Sequence, residues 1–211
     1  MDKEKIILIG AGGHCKSVVD SIDTEKYEIV GFLDENRTGM HLNKPIFGSK
    51  IEDIKNFRNF KYFVSIGGIM ARKMWYKRLQ EYGLETINII DKTAIVSPTA
   101  KIGKGNFIGK YAILNAEVVI GDDNIINSKA LVEHECKIGN HCHISTNSSV
   151  NGDVVIGDCV FFGSSAVCNG QLKIGEKSII GSGSVVIKNV VPNTTVVGVP
   201  ARQIKENNYE D

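Results

Sequence analysis

The amino-acid sequence predicts a small parallel α/β domain over residues 1–91, followed by a three-sided parallel β-helix over residues 92–211 that ends in an extended C-terminal segment. Three observations carry that expectation. From Val96 to Val186 an apolar residue returns at every sixth position, through Ile102, Ile108 and Leu114 to Ile180, with no polar residue in the register. A helix of period 3.6 or a strand of period 2 cannot sustain such spacing, whereas a coil of hexapeptide repeats requires it. Ile-Gly recurs at 102, 120, 138, 156 and 174, a step of eighteen residues or three hexapeptides, which sets three faces per coil. Before residue 91 the rhythm changes to short apolar strands alternating with helices across glycine turns. A β-sandwich with evenly spaced turns is the alternative, but its strands would alternate with period 2 and drift in spacing.

Taken in order, Ile6–Ile9 is a continuous apolar run suited to a strand buried on both faces. Gly10-Ala11-Gly12-Gly13 turns into a helix from His14 to Ile22, with Val18, Val19 and Ile22 apolar. Ile29–Leu33 is a second strand ending at Asp34, and 35–45 reads as a loop from its Asn, Gly and Pro content. A helix begins near Ile51, Tyr62–Ile66 is a third strand, Gly67-Gly68 leads into a helix from Met70 to Tyr82, and Glu85–Ile90 is a last strand. Strands and helices in that alternation make a Rossmann-like domain. In the coil, the glycine after the lead residue suits a tight turn or a positive φ. The slot four places after the lead is mostly small, as at Ala112, Ala130, Cys136 and Ser148, which fits a narrow corner; Asn106, Asn124 and Leu172 depart from it. The register breaks at Lys188-Asn189, Val196–Arg202 is extended, and 206–211 is a frayed tail.

Twenty-five basic against twenty-four acidic residues, with no polybasic block, argue against nucleic acid or an anionic membrane as partner. No signal-peptide pattern or transmembrane run is present, and five cysteines without a CxxC pair read as reduced thiols, so a cytoplasmic setting is expected. His134, Cys136, His141, Cys142 and His143 could suggest zinc, but the register turns both cysteines inward and the histidines outward, so no metal is expected.

Chemistry concentrates in two places. Glycines after a first strand let a phosphate approach the backbone and the N-terminus of the next helix. Here Gly10-x-Gly12 is present but Cys15 stands where the third glycine of GxGxxG would be, so the match is partial; Asp34 suits a ribose or sugar hydroxyl. The β-helix that follows leaves no second domain for hydride transfer. His134 and Glu135 lie two and three places after lead Val132, so both side chains leave the coil. An imidazole beside a carboxylate is a general base with its tautomer set by its neighbour. His141 reads as a turn residue.

With IILIGAGGH at the N-terminus, VEHECKIG in mid-coil and VVGVPAR near the end, the chain resembles the PglD/NeuD-like sugar acetyltransferases of the left-handed β-helix (hexapeptide-repeat) acyltransferase superfamily over nearly its whole length. The resemblance supplies the left hand of the coil, which periodicity does not fix. It implies His134 as base, Glu135 as the group raising its basicity, and the Gly152 N–H as donor to a tetrahedral oxyanion. It also implies His143 near the thioester of acetyl-CoA, and Ser164, Ser182 and Arg202 along a coenzyme A groove between prisms of a homotrimer. Gly13, His14, Cys15, Asp34, Glu35 and Gly67 would hold a nucleotide-linked amino sugar, with Cys15 replacing a glycine of the family. The expected activity is acetyl-CoA-dependent N-acetylation of the 4-amino group of a UDP- or dTDP-linked 4-amino-4,6-dideoxy sugar for surface glycan. O-acetylation of a sugar such as sialic acid, or a non-catalytic sugar-nucleotide scaffold, are the other readings.

Overall fold

A computed structural model describes residues 2–207. The α/β domain contains β1 (Glu4–Ile9), α1 (Gly13–Ser21), β2 (Tyr27–Leu33), β3 (Met40–His41), β4 (Lys44–Gly48), β5 (Lys61–Val64) and α2 (Ile69–Glu81). Its sheet has the order β3-β4-β2-β1-β5, parallel except for the β3–β4 hairpin. Side chains alternate across β1 because successive Cβ atoms point to opposite faces. Ile6 and Leu8 join Val18 of α1 and Ile22 at its C-cap, while Ile7 and Ile9 join Trp75 and Leu79 of α2.

Three expectations need correction here. The stretch read as a loop over 35–45 holds β3 and the start of β4, joined through Leu42 and Asn43 at φ 46° and 60°. Asn enters that left-handed region readily and Leu does not, so residue preference marks only the second position of the turn. The helix expected at Ile51 is a single 3₁₀ turn, Ile51–Asp53, where Asp53 Oδ2 accepts the Ser49 and Lys50 N–H groups. Ile89–Ile90 does not close the α/β sheet: it pairs with Phe107–Ile108 as the first strand of the coil, leaving only a bridge from Thr86 to Tyr62.

The coil is a prism of two-residue parallel strands in three columns. The first face runs from Ile95–Val96 to Val185–Val186, the second from Lys101–Ile102 to Lys173–Ile174, and the third from Ile89–Ile90 to Ile179–Ile180 and on into the terminal hairpin. Leads Ile108, Ile126, Ile144 and Phe162 on the third face are all buried, and the leads of the three faces together form one apolar core. Small corner residues Ala112, Ala130, Ser148 and Ala166 are buried as well. The buried amides at one corner form a ladder: Asn106 Oδ1 accepts the Asn124 N–H at 2.8 Å, and Asn124 Oδ1 accepts the Cys142 N–H at 2.6 Å. That column satisfies backbone groups that would otherwise be stranded in the core.

The positive φ expected after the lead lies two residues later instead. Tyr111, Glu117, Lys129, Glu135, His141 and Asn147 all turn corners at φ between 57° and 62°. The glycine that follows the lead answers a packing demand: a Cβ on Gly121 would stand 2.9 Å from the Gly139 carbonyl oxygen in the coil below. After Val186 the last coil shortens from eighteen to sixteen residues, with Ile174 bridging Val190 and Ile180 pairing with Val196. The segment expected to be simply extended is a hairpin, Thr194–Gly198 against Ala201–Glu206, turning through a cis Val199–Pro200 bond. Of the tail expected at 206–211, Glu206 ends a strand and 208–211 lie outside the described residues.

The two parts share a core. α1 and the inner strands of the α/β sheet pack on Ile89, Phe107 and Ile125, the outward row of the third face. Among the described residues no helix is long and apolar enough to cross a membrane.

Candidate functional site

At the carboxyl ends of β1, β2 and β5 a cleft of about 240 Å³ opens, lined by Gly10, Gly12, Gly13 and His14, by Asp34, Glu35 and Asn36, and by Ser65, Ile66, Gly67 and Trp75. A crevice there is where open parallel sheets take ligands. The glycines differ in purpose. Gly10 stands at φ 97° and its Cβ would strike the Ile66 side chain, so the fold itself demands glycine. Gly12 and Gly13 have no protein atom within 4 Å of where a Cβ would be, so their bareness leaves room in the cleft rather than relieving a clash. Gly12 is the N-cap of α1 with no side chain bonded to the helix end, so N–H groups of the first turn remain available to an anion.

Five of the six residues expected to hold substrate line this cleft. Asp34 Oδ2 accepts the Ala11 N–H at 2.7 Å and Oδ1 the Asn36 N–H at 2.8 Å, so the carboxylate shapes the glycine loop as well as facing the cleft. Glu35 lies 3.8 Å from Arg78, itself stacked on Trp75. Cys15 is the exception: it is fully buried on the inner face of α1, where burial pushes its thiol up to about 11.

His134 and Glu135 occupy the corner between the first and second faces, Glu135 at φ 61°. His134 Nδ1 and Glu135 Oε2 are 3.0 Å apart, and both side chains are more than half exposed. With Nδ1 turned to the carboxylate, Nε2 is the nitrogen left to accept a proton. Gly152 stands one coil below His134, and a Cβ there would come within 2.6 Å of Cε1 and Nε2 of the imidazole. Among the described residues none accepts the Gly152 N–H. Glu135 also opens onto a groove of the second face lined by Thr99, Lys101, Glu117, Lys137 and Asp153.

His143 does not share that corner. It stands in the outward row of the third face, against the α/β domain, with its ring 5.4 Å from Phe161 and 6.5 Å from His14. Its Nε2 is 3.2 Å from Asn127 Nδ2. Burial, then the Arg72 charge and His14, pull its imidazole down to about 4 against a hydrogen bond with the Gly67 backbone. His14 falls to about 4 for the same first two reasons, burial and Arg72, and among the described residues its buried Nε2 has no hydrogen-bond partner. Ser164 and Ser182 are stacked one coil apart on the corner between the third and first faces, exposed, with exposed Arg202 on the terminal hairpin. The first face therefore separates them from His134 within one chain.

Sequence reasoning missed Arg72 and Trp75. Trp75 and Leu79 at helical spacing could have placed Trp75 on a packed face. Nothing local marks Arg72 for burial, since an arginine in the first turns of a helix usually stays in water. His141 is a turn residue as expected, at φ 59°, but its Nδ1 is also 2.8 Å from Asp123 Oδ2. Cys136 and Cys142 are buried, their thiols donating to the Asn151 and Gly157 carbonyls.

Comparison with known proteins joins the two halves. Residues 5–79 match the family described as PglD N-terminal domain, and residues 99–134 and 135–170 match the six-repeat bacterial transferase hexapeptide family. The acetyltransferase domain of PglB from Neisseria gonorrhoeae superposes with a TM-score of 0.91 at 30% identity, over 96% of this chain and all 100% of that one. PerB from Caulobacter crescentus, solved with CoA and GDP-perosamine, gives 0.89 at 28% identity over 95% and 97%. An uncharacterised protein of Acanthamoeba polyphaga mimivirus is 36% identical over 118 residues, 56% of this chain but 24% of that protein's length.

Proposed function

Because the chain belongs to the PglD-like sugar acetyltransferases of the hexapeptide-repeat superfamily, with a left-handed coil, we propose that it transfers acetyl from acetyl-CoA to the amino group of a nucleotide-linked sugar. The observation that carries this is the pairing, in one chain, of a glycine-floored cleft at the N-terminus of α1 with an oriented His134–Glu135 pair above Gly152. PerB, the relative solved with CoA and GDP-perosamine, supports the substrate class.

The sugar amine attacks the thioester carbonyl carbon, forming the N–C bond. His134 Nε2 takes the amine proton while Glu135 holds the ring and stabilises its charged form. The outward Gly152 N–H steadies the oxyanion. Collapse breaks the C–S bond and returns the proton to the departing thiolate, leaving amide and free coenzyme A. Gly12, Gly13 and the α1 N-terminus take the phosphates, with Asp34, Glu35, His14 and Gly67 around the ribose and sugar.

Ser164, Ser182 and Arg202 belong to the acyl donor, and they lie across the first face from His134. A second copy is needed to bring one chain's serine corner to another's histidine corner, and a homotrimer closes that contact cyclically. Half-buried Ile113, Leu131, Val167 and Val185 give the first face the apolar surface for it. Five free, buried cysteines suit a reducing, cytoplasmic setting.

The test is thiol release from acetyl-CoA against UDP-, dTDP- and GDP-linked 4-amino sugars and free sialic acid. Turnover on a nucleotide-linked amine is expected, lost in His134→Ala with the oligomer intact by light scattering. Turnover on sialic acid alone would replace N- by O-acetylation, and a near-normal His134→Ala variant would remove the base.

A further inference from the structure

Arg72, in the first turns of α2, is 1% exposed, and every N–H of its guanidinium is engaged. Nη1 donates to the carbonyls of Gly67 at 3.1 Å and Ile66 at 3.4 Å, in the loop that lines the nucleotide cleft. Nη2 donates to His141 at 2.9 Å and Cys142 at 3.2 Å, the coil turn directly before His143. Nε donates to the Asp123 carbonyl at 3.0 Å, in the coil one turn above, and stands 3.4 Å from Asp123 Oδ2. That carboxylate is itself fully buried and takes its second contact from His141 Nδ1. One side chain thus gathers five backbone carbonyls from three segments, two of them on the prism and one on the cleft.

We propose that Arg72 is a positioning residue: it fixes the Ile66–Gly67 wall of the substrate cleft against the coils of the prism, and so sets where the sugar lies relative to the acyl donor. The inference rests on the transferase reading above. A planar guanidinium suits this role because its fork reaches several acceptors in fixed directions, which an ammonium on a flexible stem cannot do. Beside Arg72 the junction combines apolar packing of Phe107 and Ile125, which resists separation but permits sliding, with single polar contacts such as Lys110–Asp20 and His143 to the Gly67 backbone. Directional bonds to the Gly67 carbonyl prevent that sliding where it would matter to the reaction.

The experiment uses the full chain and two variants, Arg72→Lys, and Arg72→Met combined with Asp123→Asn, which removes both buried charges together. Assays run well below each variant's melting temperature, with the nucleotide amino sugar that the wild type turns over. A displacement of order 1 Å between reactants should lower kcat by about 10–100-fold in both variants. The calorimetric Kd for acetyl-CoA should stay within about twofold, because Ser164, Ser182 and Arg202 lie at a different corner of the prism from the 141–142 turn that Arg72 holds. A kcat within about twofold of wild type in Arg72→Lys, or a kcat that recovers in the double variant along with its stability, would mean a structural role only and overturns the proposal. Should the wild type turn over no nucleotide sugar, the transferase reading falls, and amide exchange decides the clamp. Exchange at 66–68 and 141–142 should quicken together in Arg72→Lys while 174–180 is unmoved; unchanged exchange at 66–68 overturns it.

Discussion

Gly152→Ala isolates the proposed catalytic corner from the fold. The φ of Gly152 lies outside the left-handed region, so alanine can adopt its backbone without strain. What alanine meets is His134: the new methyl would lie 2.6 Å from Cε1 and Nε2 and 3.2 Å from Cδ2. Carbon contacts settle near about 3.5–4.0 Å, so the ring must retreat by roughly 1 Å. Retreat is inexpensive in packing, since the imidazole is 58% exposed, but it breaks the alignment with Glu135 and moves Nε2 from its working place. A misplacement of about 1 Å is worth on the order of 100-fold in rate, or about 2.7 kcal/mol of activation free energy. The expected result is a kcat/KM about 100-fold down by thiol release, with a melting temperature within about 2 °C of wild type. Gly170→Ala is the control: one coil further, its Cβ would meet the Gly152 carbonyl oxygen at 2.9 Å, a backbone clash that lowers stability first. A Gly152→Ala enzyme within about twofold of wild type would show that His134 does not act from the position it holds above this glycine.

Gly12→Ala should leave the melting temperature unchanged or raised, with no protein atom within 4 Å of its Cβ, yet raise the KM for nucleotide sugar about tenfold and spare that for acetyl-CoA; an unchanged sugar KM would empty the cleft of its assigned ligand. Stability should depend on pH through His14 and His143. Both native imidazoles sit near 4 against 6.5 unfolded, so above about 6.5 neither contributes a slope, and as pH falls toward 4 the unfolded chain gains protons that the fold refuses. Urea titrations at pH 5 should find each histidine removing about 2 kcal/mol relative to pH 7, and the joint His14→Gln, His143→Asn variant should flatten that loss; an equal slope in the variant would refute the assignment. Asn124→Ala strands the buried Cys142 N–H and Gly139 carbonyl, for a loss of about 3 kcal/mol by denaturant titration, and a loss below about 1 kcal/mol would show that the ladder is dispensable.

How much of this was legible in the sequence depends on whether a feature repeats. The leads, small corners and Ile-Gly beat meet the same environment every eighteen residues, so Val96 to Val186 could be read directly. The same logic places His134 and Glu135 outside the coil. It leaves two reasons for the glycine after the lead, tight backbone or positive φ, and only the backbone separates them: Glu135 and His141 carry the positive φ, and close approach between coils accounts for the glycine. Single events left no such trace. The β3–β4 hairpin turns on Leu42, Ile89–Ile90 serves the prism although it follows the last α/β helix, and His143 faces the α/β domain because that domain docks on the third face.

Arg72 marks the limit most clearly. Its bonds span 51 residues to Asp123 and 69 to His141, so no window of sequence contains both ends. Yet these contacts are what make two familiar modules one machine. A cleft proposed to bind a nucleotide sugar and a corner proposed to deprotonate an amine are useful together only at a fixed separation. Apolar packing between α1 and the third face supplies adhesion without direction. Direction comes from hydrogen bonds, and at this junction five of them are gathered in one saturated guanidinium reaching from the Gly67 loop to the turns at Asp123 and His141. The relation between the two modules is therefore written in a residue that neither module's own pattern requires.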